Sequence, residues 1–206
     1  MTPKAFPARR FAACVAILCA GCAGLHSNQA APQVYTLEPA PAPATPAASV
    51  GAVAGSATVR VLRPLAAPGL DTDRIALVRE VQRLDYYAAS RWPAALPDLL
   101  HSLAIDAVRA AGRFRAVQPD ATAFAADDVL QIEIRRCQAE YAADGSLVVH
   151  VQLLATLGRQ NDRTLLASFT AESSRSVGTN RMQAVVAAFQ AAVGDALAQL
   201  AANLTP

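Results

Sequence analysis

Aromatic side chains are scarce in this 206-residue chain, at 5%, and charge is low at 17%, against roughly 25% in an average globular protein. Hydrophobic residues reach 53%, but alanine supplies much of that figure. The composition suits one modest core and excludes several membrane spans. The formal charge of +2 is unevenly placed, because Lys4, Arg9 and Arg10 stand in the first ten residues and no acid does. Without those three, 15 Lys+Arg face 16 Asp+Glu, a net charge of −1. A nucleic-acid partner calls for a basic stripe, and none remains.

Reaction chemistry is also missing. No Gly-rich phosphate loop, nucleophile elbow or metal-ligand spacing occurs. His26, His101 and His150 lie far apart, so neither a metal nor a cofactor is expected, nor an enzyme. Asp127-Asp128 is a carboxylate pair by spacing, but its place before a strand favours a solvated turn. Arg135-Arg136 suits phosphate head groups or, more simply, a solvated strand end. Ser173, Ser174 and Ser176 read as a polar loop.

What is present begins with an address. A basic segment, Met1–Arg10, precedes the short apolar run Phe11–Gly21, too short for the roughly 20 residues a bilayer helix needs. This is the pattern of a secretory signal. The run ends in Leu18-Cys19-Ala20-Gly21-Cys22, which resembles the bacterial lipobox: small residues that let a peptidase reach the backbone beside a lipidated cysteine. In such signals the thiol takes a diacylglycerol, the chain is cut before it, and the new amine is acylated, here with palmitate expected. Cys22 suits this better than Cys19, which follows bulky Ile17-Leu18, although Cys19 stands where leucine is usual. The competing reading is an ordinary signal peptide with Cys22 a bystander. More than one acyl chain gives a stable anchor. Ala23 replaces the aspartate that retains such proteins at the inner membrane, so the periplasmic face of the outer membrane is the expected location. Cys14 and Cys19 leave with the signal, and the mature domain keeps only Cys137, without a disulfide partner. Cys137 is either a reactive thiol or, as its strand setting favours, a packing residue.

Three regions follow: a signal peptide over 1–21, a lipidated Pro/Ala-rich tether over 22–56, and a folded domain over 57–206. Residues 38–56 are nearly all Ala, Pro, Gly, Ser and Val, a polyproline-like spacer. Val34-Tyr35-Thr36-Leu37 is an isolated apolar patch within it, suited to an edge strand or a docking element. In the domain, alternation predicts strands over 57–62, 75–78, 81–87, 114–117, 130–134, 149–153 and 164–172, the last with Leu165, Ala167 and Phe169 on one face. Asp144-Gly145 marks a hairpin. A helical stripe from Leu96 to Val108 ends at Gly112, a natural C-cap. A second stripe runs from Met182 to Leu204, with Thr179 or Asn180 as cap. The expected fold is α+β, a mainly antiparallel sheet with two helices packed on one face. Tyr86, Tyr87 and Trp92 fall within seven positions. They form either an exposed contact for lipid or a partner, or core packing where strand meets helix.

The order of Cys22, Tyr35-Thr36-Leu37, a Pro/Ala stretch, Ile75-Ala-Leu-Val, Leu84-Asp-Tyr-Tyr87, Arg91-Trp92-Pro93, Leu99-Leu100 and Phe114-Arg-Ala-Val117 resembles the ABC-type transport auxiliary lipoproteins. The resemblance implies an accessory role beside an ABC ATPase, a permease and an MCE-domain protein that together move phospholipid or other apolar cargo between inner and outer membranes. It transfers one site, the lipid attachment at Cys22, and no catalytic motif. Docking to a symmetric transporter would favour a homo-oligomer. The alternative is an accessory lipoprotein for outer-membrane protein assembly.

Overall fold

The computed structural model describes residues 31–39, 55–79 and 83–205; the signal region, Cys22 and the stretch from 40 to 54 lie outside them. Along the chain come β1 (Gln33–Val34), β2 (Thr58–Val61), β3 (Leu65–Ala66), β4 (Arg74–Arg79), β5 (Arg83–Arg91), α1 (Leu96–Ala110), β6 (Ala116–Pro119), β7 (Asp128–Tyr141), β8 (Leu147–Arg159), β9 (Leu165–Ser176) and α2 (Met182–Asn203).

The strands form one nine-stranded sheet with β7 at its centre. On one side β7 pairs antiparallel with β8, which pairs antiparallel with β9. On the other side β2, β3 and β4 dock successively along β7, each parallel to it. The expectation of a mainly antiparallel sheet is corrected here: the sheet is mixed. Pro64 and Pro68 divide the chain between Thr58 and Arg79 into short pieces, because proline removes a ladder donor. Between the pieces, Leu62 donates to the carbonyl of Leu130 and Ala67 to that of Ile134, so the ladder continues through the breaks. Strand β2 lies beside β7 at its start with β6 parallel on its outer side, and α1 packs against both.

Strand β7 is longer than alternation alone indicates. Its core residues are Leu130, Ile132 and Ile134, then Cys137 and Ala139, so the period of two is broken once. Ile134 pairs with Leu153 and Arg136 with Gln152, which leaves Arg135 as an extra residue in a bulge. A bulge lets one residue drop out of the alternation while the strand continues. Arg135-Arg136 therefore marks a mid-strand bulge and not a strand end. The hairpin at Asp144-Gly145 forms as expected, with Gly145 at φ +80. Strand β9 runs to Ser176, so the three serines belong to a strand and not to a loop. Its Leu165 is exposed, because the pairing slips between Leu157 and Gly158.

Helix α1 ends as expected, with Gly112 at φ +65 and its N–H on the carbonyl of Arg109. Helix α2 begins after Arg181 without a side-chain cap; Asn180 instead donates from Nδ2 to the Tyr141 hydroxyl at 2.9 Å. The length and apolarity of α2 would suffice to cross a membrane, but Val185, Phe189, Val193, Leu197 and Leu200 pack into the core with β8 and β9. The buried stripes of both helices and the buried faces of β7 and β8 form one hydrophobic cluster.

The folded unit starts well before residue 57. Strand β1 is added in parallel to Ser90-Arg91 of β5, and Leu37 is only 4% exposed in the core. The patch at 34–37 is thus an edge strand followed by a core residue, and the tether expected over 22–56 does not extend through 32–39.

Candidate functional site

Helices α1 and α2 touch one another and leave a groove of about 620 Å³ between them. Its apolar walls include Leu103, Ala107 and Ala110 from α1 and Val193, Leu197 and Ala198 from α2. The groove follows from residue size. Alanine is the strongest helix former, so these positions stay helical, yet a methyl group cannot span the space that a leucine would fill. Glu38 and Pro39 line the same groove, together with Asp106 and Arg113. Asp106 pairs with Arg109 one turn on, at 3.5 Å. Among the described residues Arg113 forms no ion pair. Its carbonyl accepts the N–H of Gly55 at 3.1 Å. Sequence reading missed the groove, although the alanines at 107, 110 and 111 and the small residues at 194, 198, 201 and 202 were its signal.

The structure separates the three aromatics. Trp92 is 2% exposed and meets Phe189 edge to face, with centroids 5.4 Å apart and planes at 81°, so core packing describes it. Tyr86 donates its hydroxyl to the carbonyl of Gly69 at 2.9 Å and lies beneath the Arg74 guanidinium at 3.8 Å. Tyr87 is half-buried; its hydroxyl has no hydrogen-bond partner among the described residues, and burial pushes the phenol up to about 12. Neighbouring strand residues point to opposite faces, and Ala89 at φ +49 then breaks the alternation before Trp92. The three do not make one surface.

Cys22 and His26 lie outside the described residues. Nε2 of His101 lies 2.9 Å from the carbonyl oxygen of Val61. On β8, His150 has its Nδ1 2.8 Å from Ser174 Oγ and its Nε2 4.0 Å from a carboxylate oxygen of Glu140. This cross-strand grouping of β7, β8 and β9 is invisible in linear spacing. Among the described residues no cluster of three or more His, Cys, Asp or Glu could hold a metal ion. Cys137 is buried, which pushes its thiol up to about 12. Asp127 is solvated and accepts the Thr58 N–H at 2.7 Å. Asp128 departs from the expected solvated turn: it opens β7, is buried, and its carboxyl is pushed upward by that burial against the opposing pull of Arg159. Arg135 pairs with Glu133 at 3.1 Å. Ser173 and Arg175 both bond Asp195 and so tie β9 to α2.

A family model described as an ABC-type transport auxiliary lipoprotein component matches residues 35–201. Its first matched residue is Tyr35, in the segment that leads from β1 to the buried Leu37. The fold is similar to the crystal structure of protein XCC0632 from Xanthomonas campestris, with a TM-score of 0.67 and 27% identity over 83% of this chain and 90% of that one. An uncharacterized protein of solved structure shares the fold with a TM-score of 0.59 and 13% identity, over 84% of this chain and 95% of that one. No curated protein matches. By the family match over most of its length, this chain belongs to the ABC-type transport auxiliary lipoprotein components.

Proposed function

We propose that this chain is the periplasmic auxiliary lipoprotein of an MCE-type ABC transport system, anchored at the outer membrane through lipidated Cys22. In this reading it assists the passage of phospholipid or other apolar cargo between the two membranes. Nucleotide hydrolysis belongs to its partners, and the chain performs no catalytic step of its own. Membership of the auxiliary-lipoprotein family carries the proposal. The anchor position supports it, because Cys22 stands only ten positions before Pro32, where the folded unit begins. Ten residues reach at most about 35 Å, so the anchor would hold the domain at the membrane surface. Tethering raises the effective concentration of the domain for a partner that reaches the same membrane. A homo-oligomeric ring would suit a symmetric partner.

The test is gentle detergent extraction of the native lipoprotein, followed by mass spectrometry of what accompanies it. An MCE-domain protein in the eluate is the expected result. A β-barrel protein without transporter components would instead favour the role in outer-membrane protein assembly. Cys22→Ala should abolish lipidation and processing; normal maturation and outer-membrane residence of that variant would overturn the anchor.

A further inference from the structure

Among the described residues the groove between α1 and α2 is apolar and rimmed by charges of both signs. We infer that it takes one acyl chain of a membrane phospholipid, with the zwitterionic head group held at the rim. The inference rests on the reading of the chain as a component of lipid transport, and it adds the site at which lipid touches it.

Three observations favour this occupant. The first is lining chemistry. Methyl and methylene groups of Leu103, Ala107, Val193 and Leu197 offer no hydrogen-bonding partner. An extended peptide would bury N–H and carbonyl groups there unsatisfied, at a cost, whereas a hydrocarbon chain has none to satisfy. The second is size. A helix about 10 Å wide that rises 1.5 Å per residue fills roughly 120 Å³ per residue, so 620 Å³ admits little more than one turn. The same volume lies within the usual range of small-molecule pockets, roughly 300–1,000 Å³.

The third is charge and reach. Arg113, without an ion pair among the described residues, faces the groove as a partner for phosphate, and Glu38 as a partner for an ammonium group. Asp106 is already engaged by Arg109. Pro39 lies seven positions after Pro32 and lines the groove. A folded unit of this size has a radius of gyration of about 15 Å, and the ten positions from Cys22 to Pro32 can span at most about 35 Å. The groove therefore stays within reach of the bilayer that holds Cys22.

The experiment uses the mature lipoprotein in nanodiscs of phosphatidylethanolamine and phosphatidylglycerol, doped with a phospholipid that carries a diazirine in one acyl chain. After irradiation, the labelled peptides are mapped by mass spectrometry. The expected result is labelling concentrated over 103–111 and 193–202. It should fall tenfold or more in Ala107→Leu and in Ala198→Leu, two variants that fill the groove from opposite walls, and severalfold in Arg113→Gln. A Tm near that of the parent confirms that each variant is folded. Labelling confined to other segments, or unchanged in both filled variants, overturns the inference. A photoreactive residue at position 198 that captures a second copy or a partner protein in place of lipid also overturns it. The two proposals fail separately. Absent groove labelling while the MCE-domain protein still co-purifies removes only the lipid site. Groove labelling without that co-purification removes the transport assignment and leaves a lipid-binding lipoprotein.

Discussion

The side chain of Gln190 on α2 clasps the backbone of Glu38 from both sides: the Glu38 N–H donates to Oε1 at 2.8 Å, and Nε2 donates to the Glu38 carbonyl at 2.7 Å. Beside this clasp, Leu37 is buried in the core. Together they fasten the segment that follows β1 onto a helix 152 positions away. Leu37→Ala should cost about 2–5 kcal/mol, as for other buried leucines. Gln190→Ala should cost about 1–3 kcal/mol, because it removes two hydrogen bonds of roughly 0.5–1.5 kcal/mol net each. Denaturant midpoints measure both. Limited proteolysis should cut at 33–39 earlier in either variant, and unchanged cleavage there would show that the segment is not held by these contacts.

The bulge at Arg135 makes an unusual deletion prediction. Removing Arg135 restores strict alternation, so Ile134, Cys137 and Ala139 all keep the core face. Removing Gln138 turns Ala139 outward and Glu140 inward, since a one-residue slip exchanges the two faces. The Arg135 deletion should therefore fold with a modest loss of stability, and the Gln138 deletion should unfold or lose several kcal/mol by burying a charge. Circular dichroism melts separate the two cases. Equal damage from both would remove the bulge from the account.

Cys137 is expected to be inert. Its thiol is buried and pushed up to about 12, while the thiolate is the nucleophile. A maleimide or disulfide reagent at pH 8 should leave it unmodified in the folded protein and react promptly after denaturation. Fast labelling of the native form would restore the reactive-thiol reading.

Asp128 carries a pH signature. Its folded carboxyl lies above the ordinary value because burial disfavours the charge. Its contribution to stability is therefore present below the ordinary carboxylate value and lost as pH rises from there through the raised folded one. Asp128→Asn escapes that loss, so its advantage in melting temperature over the parent should grow from pH 3.5 to pH 7. A trend in the opposite direction would mean that attraction to Arg159 outweighs burial.

Tyr87 hides a hydroxyl that has no hydrogen-bond partner among the described residues. Its phenol, raised to about 12, should still be protonated at pH 11 in an absorbance titration. Tyr87→Phe should be neutral or up to about 1 kcal/mol stabilising, because an unpaired buried donor costs free energy. A clear loss of stability would indicate a partner for that hydroxyl.

Local signals carried far in this chain. The helices at 96–110 and 182–203, the hairpin at Asp144-Gly145 and the C-cap at Gly112 all follow from periodicity and turn chemistry within a few residues. The pieces that escaped are those whose partners are distant. Thr58–Val61 reads as a strand, but nothing near it reveals that it lies parallel to Asp128–Leu130. Arg135-Arg136 reads as an ending because alternation stops there, and only the pairing with Leu153 and Gln152 shows that the strand resumes.

The candidate site divides in the same way. The basic start, the short apolar run and Cys22 form a linear pattern, read from neighbouring residues alone, and it lies outside the described residues. Tyr86, Tyr87 and Trp92 are neighbours in sequence, but strand alternation and the left-handed turn at Ala89 send them to different surroundings. The groove arises where small residues of two helices, some 90 positions apart, meet across a gap. The sequence by itself determined most element types, the hairpin at Asp144-Gly145 and the C-cap at Gly112, because each depends on spacings of a few residues. The parallel docking of β2, β3 and β4 on β7, the inclusion of Pro32–Pro39 in the fold and the interhelical groove were decided only by tertiary structure, because each depends on which distant surfaces bury one another.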